Sequence, residues 1–219
     1  MSCSGSPGVD VEESTRLNPA APSTDVDAIT PTATATVPPT SEPSDLVESS
    51  NPVDPASADL AGVGDSLYPT LGNGGYDVDH YSLAIDVDVD ANVLDAAVTI
   101  EAVAVDELDV FHLDLQGLEV QEVTVDGVEA SANRTGHELV VTPDRPIADA
   151  APFTVVVHYR GMPEPIDDPA VPFDTIGWHQ RETTVYVVSE PSGAMSWFPN
   201  NNHPADKATF DFEITTDSE

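Results

Sequence analysis

The stretch HYSLAIDVDVD, His80–Asp90, alternates apolar and polar residues from Tyr81 onward. This period of two predicts a β-strand with one buried face and one solvated face. Seven further runs have the same texture: Val93–Val105, Leu108–Leu115, Leu118–Gly127, His137–Pro143, Phe153–Gly161, Thr183–Glu190 and Ala208–Thr216. Because no window shows sustained 3.6-residue periodicity, we predict an all-β fold, an antiparallel sandwich or curved sheet.

Gly, Asn, Asp and Pro separate these runs, as expected of short connections between strands. Two of the connections, VDGVEA at Val125–Ala130 and RTGHEL at Arg134–Leu139, have the sequence of tight hairpin turns. Both turns therefore predict antiparallel neighbours.

The composition divides the chain near residue 63. Residues 1–62 contain nine prolines and no Phe, Trp or Tyr, whereas residues 63–219 hold every predicted strand. A segment without large apolar side chains cannot offset the entropy of ordering its backbone. We therefore expect residues 1–62 to be a disordered, acidic Pro/Ser/Thr-rich stalk, and residues 63–219 to be the β domain.

The chain is strongly acidic, with 6 Lys and Arg against 40 Asp and Glu and a formal charge of −34. Binding to nucleic acid or to anionic lipid needs basic side chains. This charge therefore excludes a general nucleic-acid binder and argues against docking of the protein on anionic membranes. Self-repulsion of this size suggests adaptation to high salt, and an acidic secreted protein in ordinary medium is the alternative.

Cys3 is the only cysteine, which rules out an internal disulfide framework. No signal peptide precedes it, and no run approaches the 18 apolar residues of a transmembrane helix. The start CSGSPG, followed by the Ser/Thr/Pro tract, resembles the mature start of a bacterial lipoprotein. We expect an extracytoplasmic protein, secreted or lipid-anchored at Cys3; an incidental cysteine is the alternative.

The residues alone indicate no metal site. In DVDVDAN, Asp86–Asn92, Ala91 and Ala97 stand where a calcium loop needs Gly and Glu. HELVV at His137 lacks the second histidine of a zinc-binding HExxH and is predicted to be a strand. The remaining histidines are scattered and supply no three-ligand set. We therefore expect no zinc, no other cofactor and no complete catalytic site in this chain.

A family resemblance comes from SEPSGAMSWFPNNNHPADKATFDFEIT, Ser189–Thr215. It resembles the E-P-x-x-A-R-x-x-F-P-C-x-D-E-P-x-x-K-A-T-F region of the aminopeptidase N family of zinc metallopeptidases. The matching residues are Glu190, Pro191, Ala194, Phe198, Pro199, Pro204, Lys207, Ala208, Thr209 and Phe210. LGNGGYDVDHYSLAIDVD, Leu71–Asp88, is similar to the first strand of the same domain in bacterial members. Met195, Asn200 and Asn202-His203 depart from the commoner family pattern and look like a bacterial variant of it.

The resemblance implies the saddle-like β-sandwich that forms the N-terminal domain of those enzymes. The parent protein would be a zinc metallo-aminopeptidase that releases N-terminal residues from peptides. Its zinc would lie in a C-terminal catalytic domain carrying HExxH, and that motif is missing from these 219 residues. This chain should then be inactive alone, with peptide substrate and the missing catalytic domain as partners of the parent.

In the family, the Glu before the Pro or Ala of this motif holds the free α-ammonium group of the substrate. Glu190 occupies that position, while Val188 stands where a second contact, often Gln, is usual. We expect Trp197 and its neighbours to pack the turn and Lys207 to pair with a nearby acid. The alternative is a non-catalytic β-sandwich binding module on a cell-surface stalk. An in-frame HExxH beyond codon 219 would favour the aminopeptidase over this alternative.

Overall fold

The computed structural model describes residues 62–216. Residues 1–61 and 217–219 lie outside it, and with them the predicted stalk up to residue 61 and Cys3. The described part contains twelve strands and one short 3-10 helix, Gly193–Ser196. The strands are β1 (Tyr76–Asp88), β2 (Val93–Ala104), β3 (Phe111–Asp114), β4 (Glu119–Val125), β5 (Val128–Glu129), β6 (Ser131–Thr135), β7 (Glu138–Thr142), β8 (Pro152–Gly161), β9 (Ile166–Asp167), β10 (Thr175–Arg181), β11 (Thr184–Val188) and β12 (Thr209–Thr216).

The strands form three sheets. The largest has the order β12-β1-β2-β8-β4-β5, and two smaller sheets have the orders β11-β10-β9 and β3-β7-β6. The all-β sandwich predicted from the sequence is confirmed. No helix in residues 62–216 is long and apolar enough to cross a membrane.

One strand pair departs from the predicted antiparallel arrangement. β12 runs parallel to β1, with His80 opposite Thr209 and Val87 opposite Thr216. Parallel neighbours need a long crossover rather than a hairpin, and here the crossover is the whole domain between the two strands. β12, the last strand within residues 62–216, therefore forms one edge of the six-stranded sheet.

The core lies where the inward faces of the sheets meet. Alternate residues of β1 and β2 are buried, which gives the period-two pattern read from the sequence. Fully buried side chains from different sheets pack there, among them Phe111, Tyr159, Leu94, Ile100 and Leu139. Burying each such side chain contributes roughly 1.5–3 kcal/mol.

Both predicted hairpin turns are confirmed. Asp126 and Gly127 have φ values of 51° and 75° between β4 and β5, the left-handed pair that a tight hairpin turn requires. Gly136 has a φ of 65° between β6 and β7. The mostly polar β6 and the short β5 were not predicted from the sequence.

Candidate functional site

Glu190 lies just beyond the end of β11, as predicted from the sequence. β11 ends at Val188, and the chain passes through Ser189 and Glu190 into a cis peptide bond before Pro191. The Glu190 side chain is exposed and forms no hydrogen bond or ion pair within residues 62–216. Its carboxylate is therefore free to accept a ligand from outside the domain.

Hydrogen bonds on both sides of Glu190 fix the loop that carries it. The indole N–H of Trp197 donates to Ser189 Oγ at 3.1 Å. The Asn202 side-chain amide donates to the carbonyl oxygen of Ser192 at 2.7 Å. The Ser192 hydroxyl donates to the buried carboxylate of Asp168. A loop tethered in this way presents Glu190 in one orientation instead of many, which lowers the entropic cost of binding through it.

The 3-10 helix after Glu190 packs closely on β10. The Ser196 hydroxyl donates to the carbonyl oxygen of Gly193 at 2.8 Å and accepts from the N–H of Trp178 at 3.0 Å. Gly177 adopts a φ of 93°, and a Cβ there would lie 2.9 Å from the Gly193 carbonyl oxygen. Only glycine combines this φ with this close approach, so Gly177 sets how the helix lies against β10.

A concave surface lies beside Glu190, and aromatic rings form much of its wall. Tyr81 stacks on Phe210 with ring centroids 5.0 Å apart, and it meets Phe198 edge-on at 5.8 Å. The surface is lined by Tyr81, Ser189, Glu190, Pro191, Ala194, Phe198, Asn200, Asn201, Asn202, His203, Pro204 and Phe210. The exposed carboxylate of Glu190 thus lines a depression whose other side chains are both aromatic and polar.

The predicted packing of the turn is confirmed in part. Trp197 and Phe198 are buried, and their rings lie 4.5 Å apart at 60°. The predicted pairing of Lys207 is wrong: its side chain is exposed and makes no ion pair with any residue in 62–216. Aromatic burial, and not a charge pair, holds this segment.

Three consecutive asparagines, Asn200, Asn201 and Asn202, are buried and connect the loop to the start of β1. The Asn201 side chain accepts from the backbone N–H of Asn73 at 2.6 Å and donates to Asp206 at 2.6 Å. Sequence reasoning missed this role, because three adjacent polar residues normally indicate a solvated loop. Their position directly after an apolar Trp-Phe-Pro run was the available signal.

A cluster of carboxylates and histidines lies directly behind the asparagines. The fully buried Asp114, at the end of β3, accepts through Oδ2 from the Asn73 side chain and from the N–H of Asn202, both at 3.0 Å. Its Oδ1 lies 3.5 Å from His137 Nε2, which is itself 3.5 Å from Glu138 Oε1. One donor atom from each of Asp114, His137 and Glu138 lies within 4.8 Å of the others.

This cluster corrects the sequence-based conclusion that no three-ligand set exists. Asp114 and Glu138 are direct neighbours across the β3–β7 pair, so a sheet register brings together residues far apart in sequence. Burial, followed by the Glu138 charge, raises the pKa of Asp114 to about 7, although the N–H of Asn202 and the nearby His137 oppose the rise. Two negatively charged carboxylates buried side by side repel each other and lose hydration. A bound cation or a bound proton would relieve both penalties.

Comparison with known proteins gives a family match. The sequence model described as the peptidase M1 N-terminal domain matches residues 77–219. No curated protein matches the chain.

Solved structures match over the same part of the chain. The M1 zinc metallopeptidase from Deinococcus radiodurans is 33% identical, with a TM-score of 0.65 over 71% of this chain and 36% of that one. A point mutant of that enzyme bound to a Tyr-Ser-Ala substrate is 34% identical, with a TM-score of 0.65 and the same coverage. Leukotriene A4 hydrolase from Saccharomyces cerevisiae is 25% identical, with a TM-score of 0.50 over 65% and 23% of the two chains. The chain thus spans about a third of the length of the bacterial structures.

Proposed function

Because this chain belongs to the peptidase M1 N-terminal domain family, we propose that it is the substrate-anchoring domain of a zinc metallo-aminopeptidase. In this proposal Glu190 binds the free α-ammonium group of a peptide substrate. The observation that carries the proposal is the free, exposed carboxylate on a loop hydrogen-bonded on both sides. An exopeptidase needs such a contact, because the ammonium is what distinguishes a chain end from an internal peptide bond.

The peptide-bound structure of the Deinococcus relative supports a peptide as the substrate class. The concave aromatic surface beside Glu190 would accommodate the first side chain of that peptide. Val188, exposed at the end of β11, offers no hydrogen bond from its side chain, so Glu190 is the polar anchor from this strand end.

A catalytic domain is the proposed partner of this one. The exposed face around β12 carries large apolar side chains, with Phe210, Phe212 and Ile214 exposed by 45%, 53% and 61%. Contiguous exposed apolar surface of this kind usually marks an interaction site. The zinc of the parent protein would supply the Lewis-acid chemistry of peptide hydrolysis there, while this domain binds and orients the substrate.

The test uses the full-length parent protein and an aminoacyl-anilide substrate. Glu190→Gln removes the charge and keeps the shape, and Glu190→Ala removes both. We expect kcat/KM to fall at least about 30-fold in both variants, because losing a desolvated charge contact costs about 2 kcal/mol or more. Glu122→Gln, which changes an exposed glutamate on β4, is the matched control and should keep full activity.

A second substrate separates anchoring from a general defect. Blocking the α-amine of the same anilide by acetylation removes the group that Glu190 is proposed to bind. The wild type should discriminate strongly against the blocked substrate, and Glu190→Gln should discriminate much less. Unchanged kinetics and unchanged discrimination in a folded Glu190→Gln protein would contradict the proposal.

A further inference from the structure

We propose that Asp114, His137 and Glu138 form a binding site for one divalent transition-metal ion, for which Zn²⁺ is the probe. The site lies where β3 and β7 meet the segment Asn200–Asn202, called the asparagine loop below. Its donors are one imidazole nitrogen and two carboxylate oxygens, a set that zinc and its neighbours in the first transition row accept.

The spacing of the donors is compatible with a bound metal ion. His137 Nε2 lies 3.5 Å from both Asp114 Oδ1 and Glu138 Oε1. Ligands about 2.0–2.1 Å from a tetrahedral zinc are separated from one another by about 3.3 Å. The carbonyl oxygen of Thr70 lies within hydrogen-bond distance of the same nitrogen, at 3.3 Å, and is a third oxygen at this spacing.

Three buried carboxylate oxygens of the cluster form no hydrogen bond, although histidine nitrogens lie 3.4–3.5 Å from them. Asp114 Oδ1 and both oxygens of Glu138 are buried without a hydrogen bond, and the Asp114 side chain is fully buried. A buried carboxylate oxygen without a partner is strongly unfavourable, and coordination to a metal is one of the ways in which proteins satisfy it.

The surroundings also hold the ligands in place. Asn73 and Asn202 donate to Asp114 Oδ2 and so leave Oδ1 for the ion. The buried His112 lies with Nδ1 3.4 Å from Glu138 Oε2. Groups behind the ligands that orient them in this way are typical of metal sites.

A bound ion would brace the loop that carries Glu190. Asn202 donates its backbone N–H to Asp114 and its side-chain amide to Ser192, so it links the cluster to the loop. The consequence for substrate binding rests on the proposed function, whereas metal binding itself does not.

The experiment measures zinc binding to the full chain in a Cys3→Ser background, which removes the lone thiol. After dialysis against a weak chelator, we expect one zinc per chain by elemental analysis and a rise in melting temperature with added Zn²⁺. His137→Gln and Glu138→Gln should each weaken zinc binding at least 10-fold in calorimetric titration. His80→Gln is the matched control, because His80 Nε2 also lies 3.4 Å from a carboxylate oxygen, that of Asp211. This substitution should leave the affinity for zinc unchanged.

Cobalt gives a readout that does not depend on the variants folding. Co²⁺ in a site of low coordination number should give the wild type strong visible absorption, whereas Co²⁺ on scattered surface carboxylates absorbs weakly. Strong absorption that Zn²⁺ displaces at one equivalent supports the site. Absence of bound zinc, or equal binding by the His137→Gln, Glu138→Gln and His80→Gln proteins, would show that the cluster holds only protons and would overturn the proposal.

Discussion

Asp206 ties the asparagine loop to β1 and should make the stability of the domain depend on pH. Its carboxylate accepts from the N–H of Val78 at 3.2 Å and from the Asn201 side chain at 2.6 Å. Burial raises its pKa to about 6, the hydrogen bond from Val78 opposes the rise, and the Asp77 charge adds to it. The folded state therefore keeps a proton that the unfolded chain releases near its ordinary pKa of 3.8.

The contribution of Asp206 is thus most favourable below about pH 4 and declines as pH rises through about 6. Between pH 4 and pH 7 we expect the unfolding free energy of the wild type, relative to Asp206→Asn, to fall by about 1 kcal/mol, after allowance for partial exposure. Urea denaturation of both proteins at several pH values measures the difference. Asp109→Asn, at an exposed carboxylate, is the control. If the Asp206→Asn and Asp109→Asn proteins show the same dependence of unfolding free energy on pH, the prediction is refuted.

Gly177 should tolerate no side chain. Its φ of 93° disfavours any L-residue, and an added Cβ would clash with Ser196 and with the Gly193 carbonyl oxygen. We expect Gly177→Ala to lower the unfolding free energy by about 2 kcal/mol or more, through backbone strain together with steric overlap. Gly127→Ala has a similar φ of 75° with nothing near its Cβ, so it measures the strain alone. Equal losses in both variants would show that the helix contact contributes nothing.

At the level of residues, the sequence predicted that Glu190 lies at a strand end but not which residues surround it, and its role in binding stays a prediction. The alternating run Thr183–Glu190 predicted the strand end, and the family resemblance supplied the role expected of the carboxylate. The cluster of Asp114 with His137 and Glu138 depends on the β3–β7 register, which no local pattern encodes. His137 lies in the turn before β7 and Glu138 begins that strand, so their approach to a third donor has no helical spacing that could reveal it.

At the level of elements, the packing of Phe210 should stabilise β12 more than the packing of Phe212 does. Phe210 stacks on the buried Tyr81 at 5.0 Å, whereas Phe212 stacks on Phe210 at 5.9 Å and on the edge of the core at Trp197 at 6.3 Å. Aromatic pairs contribute about 0.5–1.5 kcal/mol beyond area burial. We expect Phe210→Ala to lower the unfolding free energy by about 1–3 kcal/mol and Phe212→Ala by less than about 1 kcal/mol, both measured by denaturant titration. A larger loss for Phe212→Ala would show that the exposed face already packs within this chain.

The elements that were predicted poorly share physical causes. A register shift between Val78 and His80 interrupts the alternation, which explains why the first strand was predicted to begin at Tyr81 instead of Tyr76. β10 was not predicted, since Gly177 breaks its pattern with a left-handed φ. Long strands with a clean burial alternation, such as β2 and β8, were predicted almost to the residue. The side-chain pattern therefore predicted which segments are strands. The parallel pairing of β12 with β1 could be seen only in the folded structure.

At the level of the whole molecule, charge should dominate the response to salt. Residues 63–219 contain 5 basic and 30 acidic residues, a formal charge of 5 − 30 = −25. In the β1–β2 register Asp86 lies directly opposite Asp95, and the neutralising contact there is a single hydrogen bond from Arg160 at 3.2 Å. Like charges directly opposite each other on a sheet destabilise it, and the repulsion weakens as salt screens it.

We therefore expect the melting temperature to climb steeply as KCl rises toward 1 M, where screening acts over only about 3 Å and relieves closely spaced carboxylates. Differential scanning calorimetry across a KCl series measures the slope. Asp86→Ser removes one of the opposed charges and should reduce that slope. Sucrose, which is excluded from the protein surface without screening charge, controls for a general stabilising effect of cosolutes. A flat melting temperature from low to molar KCl would rule out adaptation to high salt. It would mean that repulsion between neighbouring carboxylates, Asp86 and Asp95 included, contributes little to the stability of the fold.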